Sequence, residues 1–236
     1  MMLIDKDNIK LFAYTNEHLV KNIKGIVIEF YGLNGGRMMI TEDDEAAVYF
    51  GKNDILYIIP YCGPWSWMND ATLILVDGVL RAIKEKYSLP DDIPVAASGG
   101  SMGGLASLVY AALTENKLVG CAANCPVCDL LYHYNEREDL PRTLLSAFGN
   151  PKSTLEEELK LHSPLYLIDK MPDIPYYIVH CKEDKSVNKK QHSDRFVSKL
   201  KGNHSVAYRE VENAGHCQLD NSEKMLYYKF LVNTIL

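Results

Sequence analysis

The chain has 236 residues, 31 acidic against 25 basic, for a net charge of −6. That balance, with no basic stripe, argues against nucleic acid or an anionic membrane as the main partner. Hydrophobic residues at 47% suffice for one two-sided core, and no apolar run nears the roughly 18 residues of a membrane span.

The start, MMLIDKDNIKLF, turns acidic early and has no long apolar stretch, unlike a secretory leader. With six cysteines in a chain of this length, this predicts reduced thiols and a cytoplasmic location. Residues 24–30 (KGIVIEF) form a β-branched and aromatic run that ends in the glycine-rich turn 31–36. A helix is predicted over 42–50 with Thr41 as its N-cap, then a strand over 54–60. Leu73, Val76, Leu80 and Ile83 recur at helical spacing within 69–87. A third strand over 93–97 leads directly into a small-residue helix over 102–114. Strands over 119–124, 174–180 and 206–211 follow, with helices over 187–200 and 223–236.

Near-continuous apolar strands joined by helices imply an α/β fold with a mostly parallel sheet covered on both faces. A single domain over 1–236 is expected. Residues 128–170, rich in charge, Tyr and Leu and broken by Ser-Pro and Asn-Pro, carry no strand pattern and read as a short helical cap.

Gly99-Gly100-Ser101-Met102-Gly103 is a G-x-S-x-G pattern placed where a strand ends and a helix begins, as a nucleophile elbow requires. Such a turn projects the Ser101 hydroxyl from the carboxyl edge of the sheet and leaves the Met102 N–H free for a developing oxyanion. A second donor is expected from the loop after the 24–30 strand, where Leu33 would offer its N–H and Gly32 would let the backbone approach the substrate. The acid and base should follow in the order Ser, Asp or Glu, His. Asp184 and His216 both lie just beyond predicted strands, on the edge that carries Ser101. Glu183 is the rival acid. Of seven histidines, only His216 occupies a post-strand loop near the end of the chain.

GGSMGG, the segment SPLYLIDKMPDIPYYIVHCKEDKSV and NAGH together resemble the α/β-hydrolase superfamily. The resemblance is closest to small esterases akin to the prolyl oligopeptidase and dienelactone hydrolase families, and it covers roughly 24–220. In those relatives a Ser-Pro pair precedes the acid strand, which ends in His-Gly-x-x-Asp-x-x-Val-Pro. Here Ser163-Pro164, Asp184 and Val187 match, while Cys181 replaces the usual Gly and Asn188 the usual Pro. The resemblance implies acyl hydrolysis through an acyl-enzyme, with no cofactor.

Trp65 and Trp67 follow the 54–60 strand and serve either as a substrate wall or as a loop packed on the next helix. Tyr132, His133, Tyr134 and Tyr166 would line a lid or decorate the outside of the cap. Cys121, Cys125 and Cys128 lack a second ligand pair and read as small residues at a buried strand end, so no metal is expected. Cys217, beside His216, would perturb the site if oxidised. The residues thus predict a serine hydrolase acting on a small-molecule ester, a carboxylesterase first. A small-peptide or amide hydrolase comes second, and a non-catalytic ligand-binding scaffold is the reading from another class. Oligomeric state stays open.

Overall fold

A computed structural model describes residues 4–36 and 39–236. Its sheet has seven strands: β1 (Ala13–Thr15), β2 (Gly25–Phe30), β3 (Ile55–Pro60), β4 (Val95–Gly100), β5 (Gly120–Asn124), β6 (Tyr176–Cys181) and β7 (Val206–Val211). They lie in the order β1-β3-β2-β4-β5-β6-β7. Every pairing is parallel except that of β1 with β3. The α/β architecture read from the sequence is the one observed.

The helices are α1 (Glu45–Lys52), α2 (Asp70–Lys86), α3 (Met102–Leu113), α4 (Leu130–Tyr134), α5 (Leu140–Phe148), α6 (Leu155–Leu161), α7 (Arg195–Leu200) and α8 (Asn221–Ile235). One face of the sheet buries Val76 and Leu80 of α2, Leu105 and Leu108 of α3 and Phe196 of α7. The other buries Phe50 of α1 with Tyr227 and Leu231 of α8. Each such side chain contributes about 1.5–3 kcal/mol on leaving water. No helix among the described residues is long and apolar enough to cross a membrane.

Three local readings are corrected. α1 is capped by Asp44, whose carboxylate accepts the Ala47 N–H at 2.7 Å, so the helix starts three residues past the 42 expected from a Thr41 cap. The helix expected over 187–200 is a π-helical turn at Lys190–Asp194 followed by the six-residue α7. β1 gave no sequence signal, being a three-residue edge strand held by Tyr14 against Ile59.

Residues 128–170 form the helical cap, α4 to α6 and two 3-10 turns. Ser163 fastens it, donating to the Leu159 carbonyl at 2.6 Å and accepting the Leu130 N–H at 2.8 Å. The cap meets the body where Asn69 of the α2 entry donates to Ala147 O at 3.0 Å and His162 lies 3.3 Å from Asp70.

Candidate active site

Ser101 caps α3 at φ 60°, ψ −121°, a left-handed conformation that costs a non-glycine residue about 1–3 kcal/mol. The turn persists because glycines flank it. A Cβ on Gly103 would stand 1.9 Å from Phe30 O, and one on Gly99 would stand 2.4 Å from Gly103 O. The Ser101 N–H donates to Asn124 O at 2.9 Å, tying the elbow to the end of β5.

The loop after β2 arches over this turn. A Cβ on Gly32 would sit 3.6 Å from Ser101 Cβ, in van der Waals contact, so the loop lies directly against the elbow. Among the described residues, Leu33 N–H has no backbone acceptor, and Met102 N–H opens α3 without an intrahelical partner.

Asp184 and His216, the residues expected to act as acid and base, lie side by side. His216 donates from Nδ1 to Asp184 Oδ2 at 2.7 Å, with the Asp184 side chain fully buried and that of His216 25% exposed. Asp184 Oδ1 accepts the N–H groups of Ser186 and Val187 at 2.8 and 3.0 Å. Burial alone would raise this carboxyl, but bonds from His180, His216 and Val187 outweigh it and hold it far below the usual range. Burial likewise disfavours a charged imidazole at His216, yet Asp184 and the adjacent Cys125 push it up to about 9. Glu183, the rival acid, makes no such contact.

Ser101, His216, Gly32 and Leu33 line one cavity of about 430 Å³. No hydrogen bond joins Ser101 Oγ to His216 here; Nε2 instead faces Cys217 Sγ at 3.8 Å.

The tryptophans separate. Trp65 donates to Asn34 Oδ1 at 3.0 Å beside the arching loop and stacks under Arg142, in a neighbouring cavity rather than this one. Trp67 is 1% exposed and donates to Thr143 of α5 at 3.1 Å, so it anchors the cap and is no substrate wall. Of the four cap residues proposed as a lid, His133 is buried and Tyr166 is exposed.

Three residues at the site escaped the sequence reading. His180, fully buried, lies 3.2 Å from Asp184 Oδ2 and 2.6 Å from Ser193 Oγ, holding the acid from behind. Its signal was its place four residues before the acid at a strand end. Glu29 lines the cavity from β2, bonded by Ser98 Oγ, and burial pushes its carboxyl up to about 7. A lone acid inside KGIVIEF marked it. Arg137 reaches the cavity from the cap, where it is forked onto Asp139 at 3.0 and 2.6 Å. Nothing local foretold its direction.

The model of the prolyl oligopeptidase family matches residues 75–233. No curated protein matches the chain. Among solved structures, a puromycin-hydrolyzing peptidase of Mycobacterium tuberculosis is 19% identical with a TM-score of 0.69, over 91% of this chain and 33% of that one. Pyrococcus horikoshii acylaminoacyl peptidase is 12% identical with a TM-score of 0.71, over 90% and 37%. An S-formylglutathione hydrolase from Agrobacterium tumefaciens is 15% identical with a TM-score of 0.67, over 94% and 84%. The chain thus spans about a third of the length of the peptidases it resembles.

Proposed function

Because the chain belongs to the prolyl oligopeptidase family of serine hydrolases, we propose that it hydrolyses carboxylic esters of small molecules through an acyl-enzyme on Ser101. The observation that carries this reading is the buried Asp184–His216 pair sharing a cavity with a serine on a strained elbow. In the reaction, Ser101 Oγ attacks the carbonyl carbon and His216 Nε2 takes its proton. The N–H groups of Leu33 and Met102 stabilise the tetrahedral oxyanion, and His216 passes the proton to the leaving alcohol. Water, activated by the same imidazole, then frees the acid and restores the serine. Asp184 keeps the ring in the tautomer that leaves Nε2 free.

A second reading, hydrolysis of short peptides, is favoured by Glu29 and Arg137, which place a carboxyl group and a guanidinium in the same cavity, one for each terminus of a peptide.

Fluorophosphonate labelling with peptide mass spectrometry tests the first step, and parallel assays with p-nitrophenyl acyl esters and aminoacyl anilides separate the two substrates. An adduct on Ser101, absent in Ser101→Ala, with turnover of the esters is expected. Turnover of anilides alone would transfer the assignment to the second reading. An unlabelled, folded protein would sink both and leave a ligand-binding scaffold.

A further inference from the structure

Three of the six cysteines converge behind the proposed base. Cys125 follows β5, Cys181 ends β6 and Cys217 follows His216. Cys125 Sγ accepts backbone N–H groups from both Cys181 and Cys217, each at 3.4 Å. These two N–H groups fix the position of the Cys125 sulfur between the end of β6 and the residue after His216. Cys217 Sγ lies 3.8 Å from His216 Nε2, and Cys125, Cys217 and His216 each offer one ligand atom within 4.8 Å of the others. A tetrahedral zinc ion, with Zn–S near 2.3 Å and Zn–N near 2.0–2.1 Å, needs its ligand atoms about 3.5–3.8 Å apart. Small side-chain rotations supply the difference.

We propose that Cys125, Cys217 and His216 form a binding site for a thiophilic divalent cation such as Zn²⁺, whose occupancy silences the hydrolase. The Asp184 bond to Nδ1 gives His216 the carboxylate–histidine arrangement that orients and strengthens a metal-binding imidazole. The fourth coordination position is left to water. Asn124 contacts Cys217 through both its carbonyl and its Nδ2, and its buried Oδ1 has no hydrogen-bond partner among the described residues, so it can accept from such a water. Cys217 lines the catalytic cavity and a second one beside it, giving the ion a way in. Binding changes no oxidation state: each thiol gives its proton to solvent, the imidazolium likewise gives up its Nε2 proton, and the lone pair so freed goes to the ion. That same lone pair would take the Ser101 proton, so metal and catalysis exclude each other. The silencing half rests on the proposed hydrolase function; the binding half does not.

Another trio, His133, Glu136 and His192, is equally close but differs in chemistry. His192 Nδ1 already accepts the Cys128 and Asp129 N–H groups at 3.0 and 3.2 Å, so its proton sits on Nε2 and blocks that atom as a ligand.

The test uses the full chain, reduced with a phosphine, in two arms. In the first, Cd²⁺ is titrated while the ultraviolet thiolate-to-cadmium charge-transfer band is followed, and Zn²⁺ affinity is read by competition with a chelator dye. One ion per chain is expected, with affinity falling at least about tenfold in Cys217→Ser and in Cys125→Ser. Cys62→Ser and Ser101→Ala should bind as wild type does. Circular dichroism checks folding, and Cys217→Ser, at a partly exposed position, covers the case in which Cys125→Ser does not fold. In the second arm, Zn²⁺ should abolish ester turnover and slow fluorophosphonate labelling, and the inhibiting concentration should rise at least about tenfold in Cys217→Ser relative to its own metal-free rate. No charge-transfer band, or unchanged binding in the Cys217→Ser protein, overturns the site. Metal binding by a chain that turns over no ester or anilide would leave the site standing and overturn the hydrolase reading instead.

Discussion

Asp184 receives four hydrogen bonds or ion-pair contacts, two from backbone N–H groups and one from each of two histidines. Replacing it by Asn preserves shape but turns one acceptor into a donor and removes the charge that fixes the His216 tautomer. Asp184→Asn is expected to lower kcat on p-nitrophenyl esters by about 10³–10⁴-fold with little change in KM, as steady-state kinetics would show. Glu29 supplies a prediction about pH. Its folded-state carboxyl titrates near 7, above the ordinary 4.5, so the folded chain holds this proton more tightly than the unfolded one. The stability it contributes is full below about pH 4.5 and is lost as pH rises to about 7. Glu29→Gln, a permanent mimic of the protonated form, should match wild type in acid. Above about pH 8 it should be more stable by on the order of 3 kcal/mol, measured by urea unfolding across that range. The residues proposed as the triad were legible in the sequence because each sits in a local frame: an elbow for Ser101, a strand end for Asp184 and another for His216. Glu29 and Arg137 were not, since what matters for them is the direction of a side chain set by distant neighbours.

Among elements, α3 starts hard against the end of β2, with Gly103 pressed against the carbonyl of Phe30. Gly103→Ala gains helix propensity but drives a methyl into β2, and the clash should win. A loss of about 3 kcal/mol in stability is expected, with a matching fall in Tm and a displaced elbow that labels slowly with fluorophosphonate. The long buried strands were readable from composition alone, because a strand covered on both faces must be apolar throughout. β1 was not, since three residues at an edge carry no period. The π-helical turn at Lys190–Asp194 was also hidden. It places buried His192 against Cys128 and Asp129 and Ser193 against His180, partners fixed by the fold rather than by spacing.

On the scale of the molecule, the cap is joined to the body through Glu136. Its Oε2 meets His133 at 2.6 Å and His192 at 3.0 Å, while its Oε1 accepts the Asn188 N–H at 2.6 Å. Burial would raise this carboxyl, but the two histidines hold it down, to about 2. Glu136→Ala leaves two buried imidazoles and an amide without their acceptor, and should cost about 3 kcal/mol. Limited proteolysis should then cut the 149–154 loop of the cap faster than in wild type. The presence of a cap could be read from the missing strand pattern of 128–170, but its pose could not. Its segments hydrogen-bond Trp67, Asn69 and Asp70, far back in the chain.

The order in which the site is laid down has its own consequence. Tyr227 of α8 bonds Gly99 at the base of the elbow, and Ile235 of the same helix fills the space above Gly25. During synthesis on the ribosome the serine emerges well before its acid, its base and the helix that seats the elbow. A nascent chain therefore carries Ser101 ahead of its proposed partners, and under the proposed hydrolase reading the site is completed only once α8 has docked against the elbow.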